Sequence, residues 1–274
     1  EGSNTSPYLT AAINVVYKLS VSPRISVSTW RELDNPKYAD FWSQNMDIKQ
    51  LRVENGEFRG EPYRYVVLRR TVLYPQKTGE LTIEPLTLSI AVDVPTERRD
   101  LFGGRIYTTV DKTVAAGSRT INVKPLPSEG RPASFTGAVG KYEFDVSLNK
   151  NELNATESVQ AKVQVKGTGN LKLFDLPRLN VPSSIEMYEP ERTENISTNL
   201  SGMQGSLAET YTLVPSQKGK YPIQPMEFSW FDPETGTYKQ RTSAEMLLDV
   251  GERPGGAALA SGGSGGKQPS AANP

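Results

Sequence analysis

The stretch Arg98-Arg99-Asp100-Leu101-Phe102-Gly103-Gly104-Arg105 sets guanidinium groups on both sides of two adjacent large apolar residues. Guanidinium pairs with carboxylates and phosphates through parallel N–H donors, and arginine and aromatic residues are enriched where proteins bind one another. The chemistry offered is recognition, and the candidate contact residues are Arg98, Arg99, Leu101, Phe102 and Arg105. The stretch falls in a long insertion between strand signals, roughly residues 93–112, and the plain alternative for such a segment is a disordered loop. Two other motifs carry ligand chemistry. Asp232-Pro-Glu-Thr-Gly236 brings two carboxylates together, as a calcium site would, but Asp and Pro also start a hairpin turn that a glycine closes, and we read it as that turn. Gly167-Thr-Gly169-Asn170 has the outline of a phosphate loop; it lacks the third glycine, the following Lys-Ser/Thr and a helix to open, so it predicts a turn between strands.

Aromatic residues crowd into residues 28–45, read as loop-rich: Trp30, Tyr38, Phe41 and Trp42. Exposed and coplanar, Trp30 and Trp42 would stack on sugar rings, which is the carbohydrate-binding or adhesin reading. Buried, they would fill the core of a sandwich.

Composition removes most catalytic options. The chain has no histidine and no cysteine, so a Ser-His-Asp triad, a Cys-His pair, a His-ligated zinc site and every disulfide are excluded. Carboxylate pairs, Lys or Tyr bases and all-oxygen calcium sites remain, yet no pair of acids is patterned as a glycosidase would need. The expectation is a protein that is not an enzyme and carries no cofactor. Lys plus Arg equals Asp plus Glu at 31 each, a balance that argues against nucleic acid, whose phosphates demand a basic excess. No apolar run approaches the roughly 18 residues that span a bilayer.

The elements that must position these residues are strands. Ile13 to Val21, Tyr63 to Tyr74, Leu81 to Ile90, Tyr142 to Leu148, Val159 to Val165 and Met246 to Val250 are rich in β-branched and apolar residues, several alternating apolar with polar at period two between Gly, Pro and Asn turns. That is the pattern of a β-sandwich, and no convincing amphipathic helix interrupts it. The chain also repeats itself. Pro75, Gly79, Ile83 and Pro85 recur as Pro215, Gly219, Ile223 and Pro225, a constant offset of 215 − 75 = 140. A strand is expected to end at the first proline, a glycine to supply a permissive turn, and the second proline to break the next ladder. The same offset sets Trp230 against Ile90, which favours packing for Trp230.

At 274 residues the chain suits two domains. The predicted fold class is all-β: two tandem immunoglobulin-like β-sandwiches at residues 6–124 and 135–250, a Pro-rich, fairly stiff linker at 125–134, and a flexible tail at 251–274.

Ile121 to Pro127 (INVKPLP), Phe135 to Phe144 (FTGAVGKYEF), Gly167 to Pro177 (GTGNLKLFDLP), the repeated Pro/Gly/Ile/Pro element and Phe231 to Lys239 (FDPETGTYK) resemble the BatD family, aerotolerance proteins of Bacteroidota and related bacteria. Arg69 to Leu86 (RRTVLYPQKTGELTIEPL) extends the resemblance into the first domain, so that it covers Val15 to Val250. The resemblance implies β-sandwich domains outside the cytoplasm, a periplasmic location, and anchoring to the inner membrane by a segment absent from this chain. It also implies von Willebrand A-domain membrane proteins, encoded alongside together with a MoxR-type ATPase, as partners. Such domains hold a metal and recruit an acidic side chain, which an exposed Asp or Glu here would supply. The resemblance implies no reaction: the expected role is a non-catalytic scaffold of a membrane-associated complex linked to oxygen or stress tolerance.

Overall fold

A computed structural model describes residues 2–255. Every regular element among them is a strand, and no helix occurs. The expected tail begins one residue inside the last strand, and residues 256–274 lie outside the described residues.

In the first half, β1 (Ile13–Val21), β3 (Phe41–Met46) and β4 (Val53–Phe58) all pair with the long β5 (Glu61–Pro75). β6 (Gly79–Ile83) pairs with β9 (Arg119–Val123), while β2 (Ser26–Asp34), β7 (Thr87–Arg99) and β8 (Arg105–Ala115) form a separate sheet. Period-two alternation decides what faces inward. Ile13, Val15 and Tyr17 of β1, Leu73 of β5, Leu81 and Ile83 of β6, and Leu88, Ile90 and Val92 of β7 meet in one buried cluster.

The second half repeats this order. β12 (Val159–Gly169) pairs with β15 (Gly202–Pro215) as β1 pairs with β5, and β13 (Ile185–Met187) and β14 (Glu191–Asn199) share β15 as β3 and β4 share β5. β16 (Gly219–Ile223) pairs with β19 (Met246–Gly251) as β6 does with β9, and β17 (Glu227–Asp232) and β18 (Thr237–Thr242) form the hairpin that β7 and β8 form. The halves differ where β10 (Phe135–Leu148) runs parallel to β17 and where β11 (Glu152–Asn154) adds to β19. This doubled strand order is consistent with two tandem immunoglobulin-like sandwiches.

The repeated motif does what its residues require. β5 and β15 end on Pro75 and Pro215, and β6 and β16 start on Gly79 and Gly219. Gly79 has φ +92°, whereas Gly219 lies outside the positive-φ region, so the permissive backbone is needed at only one of the two. Pro85 and Pro225 fall between strands that belong to different sheets: each proline marks where the chain leaves one sheet for the next rather than a bend within a ladder. Trp230 and Ile90 are both buried, as the offset predicts.

Gly167-Thr-Gly169 is not a turn. It continues β12 against β10, with Gly169 opposite Gly140 and Gly167 opposite Tyr142. Asn170 follows, fully buried, and both ends of its side-chain amide are bonded: Oδ1 accepts from Val139 N at 2.7 Å and Tyr142 Oη at 3.1 Å, and Nδ2 donates to Gly137 O at 2.9 Å. Asn170→Leu should cost about 3 kcal/mol of stability, because it strands buried groups that have no water to turn to; chemical denaturation would read this as a shifted midpoint.

The two halves share a core. Three consecutive residues of β5 are fully buried, and they divide between two clusters: Leu73 joins the first-half core, while Val72 and Tyr74 join that of the second half. Tyr74 Oη accepts from Met203 N at 2.7 Å and donates to Gly169 O at 3.2 Å. The linker is held as well. Arg131 donates to the Tyr238 hydroxyl at 3.0 Å and to the Leu126 and Pro127 carbonyls at 3.2 Å, and Tyr8 packs edge-on against Phe231 with ring centroids 4.9 Å apart.

Candidate functional site

The insertion at residues 93–112 is an ordered hairpin, not a loop. β2 accompanies β7 only as far as Asp93, which faces Ser26; beyond it β7 and β8 run on alone, Val94 opposite Thr108, Pro95 opposite Tyr107 and Arg99 opposite Arg105. The seven residues from Asp93 to Arg99, six steps apart end to end, make a two-stranded arm about 20 Å long at ~3.3 Å per residue. It leaves the first sandwich at the end opposite the Tyr74 junction, since Asp93 lies far along β7 from the Pro75 end of β5.

Asp100 builds the tip. Its Oδ1 accepts from Phe102 N at 2.8 Å and Gly104 N at 2.7 Å, its backbone N–H donates to Gly104 O at 2.8 Å, and its carbonyl accepts from Gly103 N at 3.1 Å. Gly103 has φ +80°, and a Cβ on Gly104 would lie 2.7 Å from the Asp100 carboxylate, so the glycines are what this turn needs. Arg99 Nη1 reaches back to Gly103 O at 3.2 Å.

The outcome is presentation. Leu101 and Phe102 are 99% and 97% exposed, the least covered large apolar side chains among the described residues. Arg98 and Arg99 precede them and Arg105 follows, all exposed, with Arg99 opposite Arg105 at the base of the tip. Asp100, the tip's own acid, accepts two backbone N–H bonds and keeps its charge, so the tip and its flanks carry three arginines against Asp100 and Glu97. All five candidate contact residues thus sit on one structural feature. β8 also pairs on one side only, leaving its outer backbone groups free, and ten of its eleven residues are exposed.

The aromatic pair does not assemble. Residues 28–45 are mostly strand, with Trp30 on β2 and Trp42 on β3, in different sheets. Each is half-buried: Trp30 packs on the first-half core, and Trp42 lies edge-on to Tyr74 with centroids 5.7 Å apart, against the second. They form no shared platform for a sugar ring. Asp232-Pro-Glu-Thr-Gly236 is the β17–β18 turn, with Gly236 at φ +67° and Asp232 Oδ1 accepting from Glu234 N at 2.9 Å. No group of three or more acids among the described residues could hold a metal.

Residues 146–250 match the family model described as the BatD DUF11-like domain. The chain carries a BatD-family domain. The BatD match takes in the second-half strands from within β10 to β19, including Gly167-Thr-Gly169, the second copy of the repeat and the Asp232–Gly236 turn. The INVKPLP, FTGAVGKYEF and RRTVLYPQKTGELTIEPL segments lie outside it, as does the arm. No curated protein matches the chain.

Sequence reasoning singled out the arm's residues but missed Tyr74 and Asn170. The run Val72-Leu73-Tyr74 did carry a signal, since consecutive apolar residues in a strand point to burial on both faces. Asn170 gave none that distinguishes it from a turn asparagine.

Proposed function

We propose that this chain is a non-catalytic protein-interaction scaffold of a Bat-type membrane-associated complex linked to oxygen or stress tolerance, and that the distal arm makes the contact. The observation that carries this reading is the Asp100-built tip, which holds Leu101 and Phe102 in solvent, with exposed arginines on the strand ends beside it. Exposing two large apolar side chains costs solvation that a partner's surface recovers, and a large apolar anchor within a polar rim is the composition of an interface hot spot.

The family resemblance nominates von Willebrand A-domain proteins as the partners. Glu97, exposed on the arm and without a hydrogen-bond or ion-pair partner among the described residues, is the acid we assign to the metal such a domain holds. The location that goes with this role is extracytoplasmic, with an inner-membrane anchor outside the chain; no helix among the described residues is long and apolar enough to cross a membrane. The chemistry left to a chain without histidine or cysteine, and the tight docking of its two halves, support a rigid spacer better than a catalyst.

The test is association of the full chain with the von Willebrand A-domain proteins of its own membrane. Leu101→Asp with Phe102→Asp should weaken that association by tenfold or more. The melting temperature should not move, because neither side chain packs on the body. Unchanged association would discard the arm as the contact.

A further inference from the structure

An open cleft of about 270 Å³ lies between the two sheets of the first sandwich, at the end that bears the arm. Its walls are hydrocarbon: Leu19 and Val21 of β1, Val27 and Trp30 of β2, and Val66 and Leu68 of β5. β2 and β4, which contribute to its rim, belong to different sheets and are not paired with each other. The second sandwich closes its own core with Tyr142, Phe174, Phe228 and Trp230, whose rings sit 5.5–6.4 Å apart.

Arg64 stands at the mouth. Its Nη2 donates to Ile25 O at 3.0 Å, bridging the sheets, while its Nε is buried with no hydrogen-bond partner. No carboxylate among the described residues forms an ion pair with it. The guanidinium therefore keeps an unpaired positive charge in the lining of the cleft, where a carboxylate would find a charge-assisted partner. The groove that continues outward from the mouth holds Arg24 as well as Arg64 against a single acid, Asp93.

We propose that this cleft binds a free medium-chain fatty acid, its alkyl chain between the sheets and its carboxylate on Arg64. Ser26 and Arg64 are the only polar residues of the lining. A peptide would bring backbone N–H and C=O groups that such walls cannot satisfy, whereas an alkyl chain brings none. The volume takes about nine water-sized groups at ~30 Å³ each, which fits one chain of about that many carbons. This inference stands apart from the role of the arm tip.

Trp30 supplies the readout, because Trp42 and Trp230 belong to the other core. In the full chain, 10-bromodecanoate should quench tryptophan emission saturably. Decanoate should compete, and Trp30→Phe should abolish the quenching. Arg64→Gln should weaken 10-bromodecanoate by tenfold or more and leave 10-bromodecanol unchanged, which separates the carboxylate contact from chain burial. Val21→Phe, which fills the cleft from the position paired with Arg64 and retains the arginine, should remove quenching by both probes and keeps the test decisive if the Arg64 variant folds poorly. Absence of saturable quenching, or quenching indifferent to both Arg64→Gln and Val21→Phe, overturns the proposal. So does equal competition by phosphatidylglycerol vesicles, which would assign the cleft to membrane lipid.

Discussion

Tyr74→Ala is expected to split the unfolding of this chain into two transitions and to lower stability by about 3–5 kcal/mol. The reason is the position of β5 between two cores. Leu73 serves one and Val72 with Tyr74 the other, so force or denaturant that loosens either half must pass through the same strand. The phenol also satisfies Met203 N and Gly169 O, both deep in the second half. Gly202 makes room for it: a Cβ there would lie 2.5 Å from the Tyr74 hydroxyl, at φ +114°. Tyr74→Phe keeps the ring and loses only the two hydrogen bonds, for an expected ~1–3 kcal/mol. Burial pushes the Tyr74 hydroxyl up to about 12, against the smaller opposing pull of the Met203 N–H. The folded value lies above the unfolded one of ~10, so the neutral phenol contributes its full stability below pH ~10. That contribution is lost as pH rises through about 12. Differential scanning calorimetry from pH 8 to 12 should show wild type losing stability over this window more steeply than Tyr74→Phe. A single unshifted transition for Tyr74→Ala would mean that Tyr74 is not what couples the two halves.

Gly169→Ala is expected to prevent the second sandwich from folding, a loss of at least ~4 kcal/mol. Its φ is +156°, and an added Cβ would lie 2.2 Å from Val139 O and 2.2 Å from the Tyr142 hydroxyl. Gly140, its partner across the ladder, is equally closed, with a Cβ position 2.2 Å from Thr168 O. Backbone meets backbone here, so no side-chain rotation relieves the contact. Displacing the strand would also undo the Asn170 hydrogen bonds that fix Val139, Gly137 and Tyr142. Near-ultraviolet circular dichroism reports this directly through the Tyr142, Phe228 and Trp230 cluster. A native spectrum for Gly169→Ala would show that the two ladders can separate at small cost.

Much of this fold was legible because strands announce themselves twice, by alternation and by their breakers. Ile13 to Val21 alternates and becomes β1; the Pro/Gly/Ile/Pro element marks the same strand ends and sheet change in both halves. The arm was legible in its residues and not in its form. Val94-Pro95-Thr96-Glu97 reads as loop because only Val94 packs against the core, so the sequence lacks the continued hydrophobic face that identifies a strand, and pairing with β8 alone makes it one. Trp30 and Trp42 were open to two readings because a tryptophan's type does not say which sheet covers it. The glycines of Gly167-Thr-Gly169 were misread for a related reason. Close approach of two ladders and a tight turn both ask for glycine, and only the facing Gly140 and Tyr142 distinguish them. Tyr74 lay beyond reach because its partners, Gly169 and Met203, are separated from it by 95 and 129 residues.

The central claim is that the arm tip touches a partner, and site-specific photocrosslinking in the native membrane tests it most directly. A photoreactive residue replaces Phe102 in one full-length chain and Lys239, on the exposed β18, in another. The account predicts an adduct with a von Willebrand A-domain protein at position 102 and none at 239. No adduct at 102, or the same adduct from both positions, would contradict it.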